Sequence, residues 1–203
     1  MARRASRSPA VRPQANPTLH WTGPAERSSS FESWSVPGRP VNVRPLAAMG
    51  HRTTIHETFV ARFQFGDPPT PMADVELDSV EAALDTKLPA SFREFMTRFG
   101  PVHTPLVLDG ITDCGLDHPD VQDFLSAKQA VENTKGYWSA GMPADVIGIA
   151  SDCMGNMIGF LRSGERRDDA PVVFFDHDFV EVSEIASSFD EFLNWYLGHL
   201  DGS

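Results

Sequence analysis

The sequence predicts an α+β domain in which a mainly antiparallel, curved sheet packs against about four helices. In four segments the apolar residues recur at helical spacing, and four short apolar runs follow one another closely between residues 145 and 182. Parallel strands need long crossover connections, so strands with such short links must pair antiparallel. Helices kept apart from an antiparallel sheet define the α+β class.

Charge is distributed unevenly along the 203 residues, of which 41% are hydrophobic, enough for one domain and a tail. Residues 1–48 carry seven arginines against two glutamates, a net of +5. Residues 49–203 carry ten basic and twenty-six acidic residues, a net of −16. An acidic surface repels phosphate backbones and favours a basic partner. Solubility alone explains the charge equally well at this point.

The first 48 residues are rich in Pro, Ser and Arg and have neither helical nor strand periodicity, so we expect a disordered basic tail. The stretch NPTLHWTGPAERSSSF resembles translated repeat sequence found ahead of bacterial reading frames. We therefore expect Met49 to be the true start and residues 49–203 to form the domain. We also expect a cytoplasmic protein, because no secretory signal and no apolar run of membrane-spanning length is present.

The first two predicted helices follow each other directly. Residues 74–88 carry an apolar stripe that ends at Leu88-Pro89 and consists of Val75, Leu77, Val80, Ala83 and Leu84. Residues 89–100 begin with Pro89, end at Gly100 and present a core-facing stripe of Phe92, Phe95, Met96 and Phe99. We expect these two helices to pack together.

The middle of the chain is less regular. Residues 101–118 contain Gly and Pro and predict one or two strands with a turn at Asp109-Gly110. Residues 118–142 predict a third helix with Pro119 in its first turn. Its apolar stripe is Val121, Phe124, Leu125, Lys128 and Val131. Near its end, Tyr137-Trp138 could belong to the core or contact a partner, and the core is favoured.

The last third predicts two strand pairs and a helix. Apolar runs on either side of residues 152–156 form a hairpin if Gly155 and Asn156 adopt the positive φ of a tight turn. A second strand pair, at 172–175 and 179–182, bends at residues 176–178. The intervening loop, residues 166–169, should be solvated and mobile. The final helix is capped by Ser187 or Ser188 and turns Phe189, Phe192, Leu193, Tyr196 and Leu197 inward.

In this order, the elements resemble the SUKH superfamily, which includes immunity proteins of polymorphic toxin systems and relatives of fungal cell-wall-synthesis regulators. VEAALDTKLPASFREFMTRFG is similar to its opening helix pair, VIGIASDCMGNMIGFLR to its central hairpin, and APVVFFDHDFVEVSEIASSFDEFLNWYL to its closing strands and helix. These pieces cover most of residues 74–197. An aromatic residue common in the first helix of members is absent here, which leaves the subfamily and the specific partner open.

The resemblance implies a non-enzymatic binding protein without a cofactor. Such an immunity protein neutralises a cognate contact-dependent or secreted toxin domain by covering its active surface. A basic toxin such as a nuclease suits the net charge of residues 49–203. One alternative is a regulatory or scaffold module of the same fold that binds a cytosolic partner. Another is a small hydrolase that uses Asp152, Cys153 and His177. Nucleic acid and membranes are not expected as partners.

The segment from residue 151 to 182 concentrates groups that bind metals or move protons. Adjacent strand residues point to alternating faces, so Asp176, His177 and Asp178 would not converge on a metal. Side chains that bond to their own turn explain them better. Cys114 and Cys153 lack ligand spacing and predict two reduced, half-buried thiols. We predict no catalytic, cofactor or metal residues.

A partner could still contact the two turns, because both carry acidic residues. The candidate partner-contact residues are Asp152 and Asn156 in the first turn and Asp176, His177 and Asp178 in the second.

Overall fold

A computed structural model describes residues 54–200. The predicted tail at residues 1–48 and the predicted start at Met49 lie outside the described residues. The described part contains six helices, α1 (Ile55–Phe63), α2 (Asp74–Leu84), α3 (Ala90–Phe99), α4 (Leu106–Cys114), α5 (Ala127–Ser139) and α6 (Phe189–His199). It also contains five strands, β1 (Asp123–Phe124), β2 (Val146–Ser151), β3 (Met157–Leu161), β4 (Val172–Asp176) and β5 (Glu181–Ala186).

The α+β prediction is confirmed, because the five strands form one open antiparallel sheet in sequence order. β2 and β3 form the predicted hairpin, with Ser151 opposite Met157. Both strands are buried along nearly their whole length. Among the described residues β5 pairs with β4 alone, and most of its side chains are exposed. One edge of the sheet is therefore unpaired.

Aromatic rings join the helices to both faces of the sheet. Phe160 of β3 meets Phe92 of α3 and Phe189 of α6, with ring centroids 5.5 and 6.2 Å apart. On the other face, Tyr137 of α5 meets Phe175 of β4 at 6.2 Å. The two faces differ because Phe175 pairs with Met157, which lies an odd number of residues from Phe160. Helices therefore cover the central strands from both sides.

Helices α2, α3 and α6 lie where the sequence predicts them. Ser188 caps α6 by accepting a hydrogen bond from the Glu191 amide at 3.0 Å, and the five predicted inward residues of α6 are all buried. In α2 the buried stripe is narrower than predicted, since Val75 and Ala83 are exposed. Within residues 54–200 the structure shows no helix with the length and apolar character needed to cross a membrane.

The strand prediction for residues 101–118 is wrong, because α4 occupies their centre. Val107 and Ile111 are buried one helical turn apart. Gly110, expected in a turn, lies inside this helix. A Cβ atom at Gly110 would come within 3.1 Å of the Leu200 side chain. The glycine therefore permits close packing against the residue that follows α6 and does not mark a turn.

The third predicted helix, α5, begins later than expected. Ser126 and Gln129 form a capping box, in which the Gln129 amide donates to Ser126 Oγ and the Ser126 amide donates to Gln129 Oε1 at 3.0 Å. The preceding residues are extended, and the Leu125 amide donates to the Ile149 carbonyl at 2.9 Å. The predicted apolar residues Val121, Phe124 and Leu125 are therefore buried, but they lie in β1 or next to it and not in a helix.

Helix α1 lies ahead of the region where the sequence pattern is clear. Thr54 and Glu57 form a capping box at its N-terminus. Phe59 and Phe63 are buried at an i, i+4 spacing. The fully buried Phe59 ring lies 6.1 Å from the Tyr196 ring of α6 and 6.5 Å from the Phe95 ring of α3. Helix α1 is therefore part of the core.

The loop between β3 and β4 was predicted to be solvated and mobile at residues 166–169. Residues 166–168 are exposed, but hydrogen bonds fix the loop to α3 and α6. The Arg167 and Asp168 carbonyls accept hydrogen bonds from the Ala90 and Ser91 amides at 2.9 Å each. The Asp169 carboxylate accepts from the Phe189 amide at 2.8 Å. This loop therefore supplies acceptors to the first amides of α3 and α6, where helices lack internal partners.

A buried carboxylate connects the same loop to α2 and α3. Glu81 is only 3% exposed. Its oxygens accept from Lys87 Nζ at 3.0 Å, Arg93 Nη1 at 3.2 Å and Arg166 Nη2 at 3.0 Å, and from the Leu88 amide at 3.1 Å. Buried charges persist in folded proteins when they are paired in this way.

Candidate functional site

The turn between β2 and β3 is built by two buried polar side chains. Asp152 Oδ1 accepts hydrogen bonds from the Met154 and Asn156 amides at 2.9 and 2.7 Å. Asp152 Oδ2 accepts from Asn156 Nδ2 at 2.7 Å. Gly155 alone supplies the positive φ that the prediction assigned to both Gly155 and Asn156. The Asp152 and Asn156 side chains therefore stabilise the conformation of this turn.

Asn156 also joins this turn to the one between β4 and β5. Its Oδ1 accepts the His177 amide at 3.0 Å and lies 2.7 Å from His177 Nδ1. Since Asn156 Nδ2 donates to Asp152, this oxygen must accept, so His177 Nδ1 carries the proton. Asp176 Oδ1 accepts from the Asp178 and Phe179 amides at 2.9 and 3.1 Å, which confirms that this side chain bonds to its own turn.

The five candidate contact residues thus meet at one end of the sheet. Asp152 and Asn156 are buried, Asp176 is half-buried, and His177 and Asp178 are exposed. Strand β5 begins at Glu181 and not at Phe179, because the Asp176 bonds hold residues 178 and 179 in the turn. Partner contact by these residues remains a prediction.

The C-terminal end of α5 completes this end of the molecule. The Tyr137 hydroxyl donates to the Gly155 carbonyl. A Cβ atom at Gly141 would lie 3.6 Å from Val180 Cγ1, so the end of α5 also touches the second turn. Trp138 Nε1 donates to the Val146 carbonyl at 2.8 Å. Both aromatic residues are half-buried and fasten α5 to the sheet.

Apolar side chains are exposed around this junction. Phe179 is 76% exposed and Met154 69%, and Val180 is also exposed. We use the name tip surface for residues Tyr137, Gly141, Met154, His177, Asp178, Phe179 and Val180. A shallow groove of about 220 Å³ adjoins it along α5 and includes Tyr137 in its wall. Clustered exposed apolar residues commonly mark interaction sites.

Sequence reasoning missed the apolar part of the tip surface. Phe179 and Val180 look like strand residues, since β-branched and aromatic residues favour strands. Val180 instead has a φ of 56°, in the left-handed region that β-branched residues avoid. Such strain persists only where the surrounding structure imposes it, and it clusters at functional sites.

The segment that carries His177, Asp178, Phe179 and Val180 of the tip surface is acidic. Residues 170–200 contain six carboxylates and no lysine or arginine. Asp178 and Glu181 flank Phe179 and Val180 and are exposed. Complementary charge increases association rates between proteins, so this side of the domain suits a basic partner.

The structure gives no support to a Cys153 nucleophile. Desolvation of the thiol and the nearby Asp120 carboxylate raise the pKa of Cys153 to about 11, which keeps the sulfur protonated at neutral pH. The Cys153 amide donates to Asp120 Oδ2 at 3.1 Å, whereas the His177 ring bonds to Asn156. Both Cys153 and Cys114 are exposed, not half-buried as predicted.

Metal binding has no support either in the part of the chain that the structure describes. Across residues 54–200, no three His, Cys, Asp or Glu side chains are grouped so that they could hold a metal ion. Asp176 and His177 bond to their own turn and to Asn156.

These features define the class of the protein as an α+β domain with a helix-covered sheet, an edge that no other described residue pairs with, and an acidic end with exposed apolar residues. The sequence model of the SMI1 / KNR4 family (SUKH-1) matches residues 71–195. The chain therefore belongs to this family, which includes immunity proteins of polymorphic toxin systems. A search among curated proteins found no match. Helix α1 lies ahead of the matched region.

Proposed function

We propose that this chain is a non-enzymatic, cytoplasmic immunity protein that neutralises a cognate toxin domain by covering its active surface. The observation that carries the proposal is the tip surface, where exposed apolar side chains lie beside carboxylates of residues 170–200, a segment whose sequence contains no lysine or arginine. Family membership supports it, since immunity proteins occur in this family.

The charge indicates a basic partner. A toxin that acts on nucleic acid needs a cationic cleft to hold phosphates. A domain with a net charge of −16 over residues 49–203 is attracted to such a cleft and competes with the substrate. Salt screens this attraction, so association should slow as ionic strength rises.

The exposed residues of the tip surface are assigned the contact, and the buried or half-buried residues beneath it are assigned the support. Phe179 is the anchor, because large aromatic residues supply much of the energy of protein interfaces. His177 and Asp178 lie beside it as polar contacts. Asp152, Asn156 and Asp176 hold the two turns in place.

The test is co-expression of the full chain with the toxin domain encoded by the adjacent gene. We expect growth to be rescued and an equimolar complex to elute on gel filtration. Phe179→Ala should weaken binding about tenfold or more. Phe65→Ala is the matched control, since Phe65 is also exposed but lies outside the tip surface, and it should bind as the parent does.

Absence of both rescue and complex would refute the proposal. If Phe179→Ala and Phe65→Ala weaken the rescue equally, the tip surface is not the binding surface for the toxin. A stable complex with a cytosolic protein of the host, without any toxin partner, would instead favour a regulatory or scaffold module.

A further inference from the structure

Within residues 54–200, strand β5 leaves backbone hydrogen-bonding groups unpaired along one side. It pairs with β4 from Glu181 opposite Asp176 to Ala186 opposite Val172. Alternate amides and carbonyls of an edge strand point away from its neighbour. Residues 181–184 are all exposed. Four consecutive residues therefore present an accessible strand edge beside the tip surface.

The far end of β5 limits how long that edge is. Val172 pairs with Ala186 but Val173 pairs with Glu184, so Ile185 is an extra residue on β5. Such a bulge bends a strand and interrupts regular pairing. Pairing by a further strand is thereby confined to residues 181–184, next to Phe179.

Charge decides what could pair there. Glu181 and Glu184 lie on opposite faces of β5, since they are three positions apart and successive side chains of a strand alternate between its faces. A second copy of this chain would bring glutamates against glutamates, and like charges on adjacent strands are destabilising. A strand with lysine or arginine on both faces would find an opposite charge on each.

We propose that β5 is a strand-addition site, at which an extended basic segment of the partner pairs with residues 181–184 as a sixth strand of the sheet. Backbone bonds provide the affinity, and Glu181 and Glu184 select cationic side chains. Phe179 lies just before this edge and serves as the anchor of the same interface. The inference rests on the proposed function for its natural partner, but the edge itself can be tested with peptides.

The first experiment uses the full chain and a capped peptide, KVKKVK, which carries cations on both faces of a strand. In titrations followed by NMR, we expect the amide resonances of residues 181–184 to shift. A peptide of the same charge with alternate backbone amides methylated should bind about tenfold more weakly, because it cannot pair as a strand. A peptide with glutamate in place of lysine should not bind.

The second experiment alters the strand. One of the adjacent amides of Val182 and Ser183 faces β4 and the other faces outward. Val182→Pro and Ser183→Pro should therefore differ: one destabilises the fold, and the other stays folded and no longer binds KVKKVK. Ser183→Ala is the control that keeps the backbone donor and should bind normally.

Equal binding of the methylated and unmethylated peptides would overturn the proposal, as would concentration-dependent dimerisation through β5. Undiminished binding of the peptide by the folded proline variant would also overturn it. These outcomes leave the proposed function intact if the toxin domain still forms a complex through the tip surface. If the unmodified chain binds the peptide normally but does not bind the toxin domain, the proposed immunity function is refuted and the strand-addition site on β5 is supported.

Discussion

Removal of the Glu81 charge should destabilise the fold substantially. Glu81 is buried, and its carboxylate pairs with Lys87, Arg93 and Arg166. Loss of one member of a buried ion pair costs about 3–5 kcal/mol. Two of the three cations are partly exposed, and Arg93 keeps Asp74 at 2.8 Å, so they can be solvated or paired again. We therefore expect Glu81→Gln to cost about 2–3 kcal/mol.

Urea denaturation followed by circular dichroism measures this difference directly. Glu94→Gln is the control, because Glu94 is exposed and forms an ion pair with Arg98 of the same helix, and it should change stability by less than about 0.5 kcal/mol. Equal stabilities of the Glu81 and Glu94 variants would refute the view that Glu81 connects α2, α3 and the β3–β4 loop.

The same carboxylate predicts a pH dependence. Burial on its own would raise the pKa of Glu81, but the bonds from Lys87 and Leu88 and the charges of Arg166 and Arg93 outweigh it and lower the pKa. A group whose pKa is lower in the folded state stabilises the fold above its unfolded pKa. This contribution is lost as pH falls from the unfolded pKa of glutamate, about 4.3, through the lower folded pKa. The free energy of unfolding of Glu81→Gln should therefore fall less than that of the parent chain as pH is lowered through that range.

Three further results are expected. Phe59→Ala should lower the free energy of unfolding by about 3–5 kcal/mol, measured by thermal or urea denaturation, because the Phe59 ring is fully buried. Phe65→Ala should lower it little, because Phe65 is exposed. Equal effects of the two variants would contradict the assignment of α1 to the core. Cys153 should react slowly with iodoacetamide at pH 8, and Asp120→Asn should speed the reaction by removing the negative charge that helps to raise the thiol pKa; an unchanged rate would contradict this. Val180→Gly should stabilise the domain by about 0.5–1 kcal/mol, because glycine adopts this left-handed φ without strain, and a loss of stability in urea denaturation would contradict this.

Sequence reasoning succeeded where local pattern and tertiary environment agree. The stripe of α3 and the inward face of α6 are strongly periodic, and the structure buries the predicted residues except Phe99, which is half-buried. The β2–β3 hairpin followed from a glycine in a short polar turn between apolar runs. In these segments one local preference dominates.

The errors arose where tertiary contact changes the meaning of a residue. Gly110 was predicted to lie in a turn. A glycine is needed there because the Leu200 side chain packs closely against it, and no local sequence pattern shows that contact. The capping boxes at Thr54 and Ser126 were available in the sequence and would have placed α1 and the start of α5. The join between the two turns through Asn156 and His177 could not be predicted, because it links residues in different hairpins.

The β3–β4 loop has a consequence for how this domain tolerates rearrangement. Its Arg167 carbonyl and Asp169 carboxylate complete the starts of α3 and α6, two helices far apart in the chain. Exposed loops are ordinarily the safest places to cut a chain or to insert a tag. Here a cut or an epitope insertion at residue 167 or 168 should fray both helix starts at once, although the site lies on the surface. A reporter or split-protein design should therefore avoid this loop.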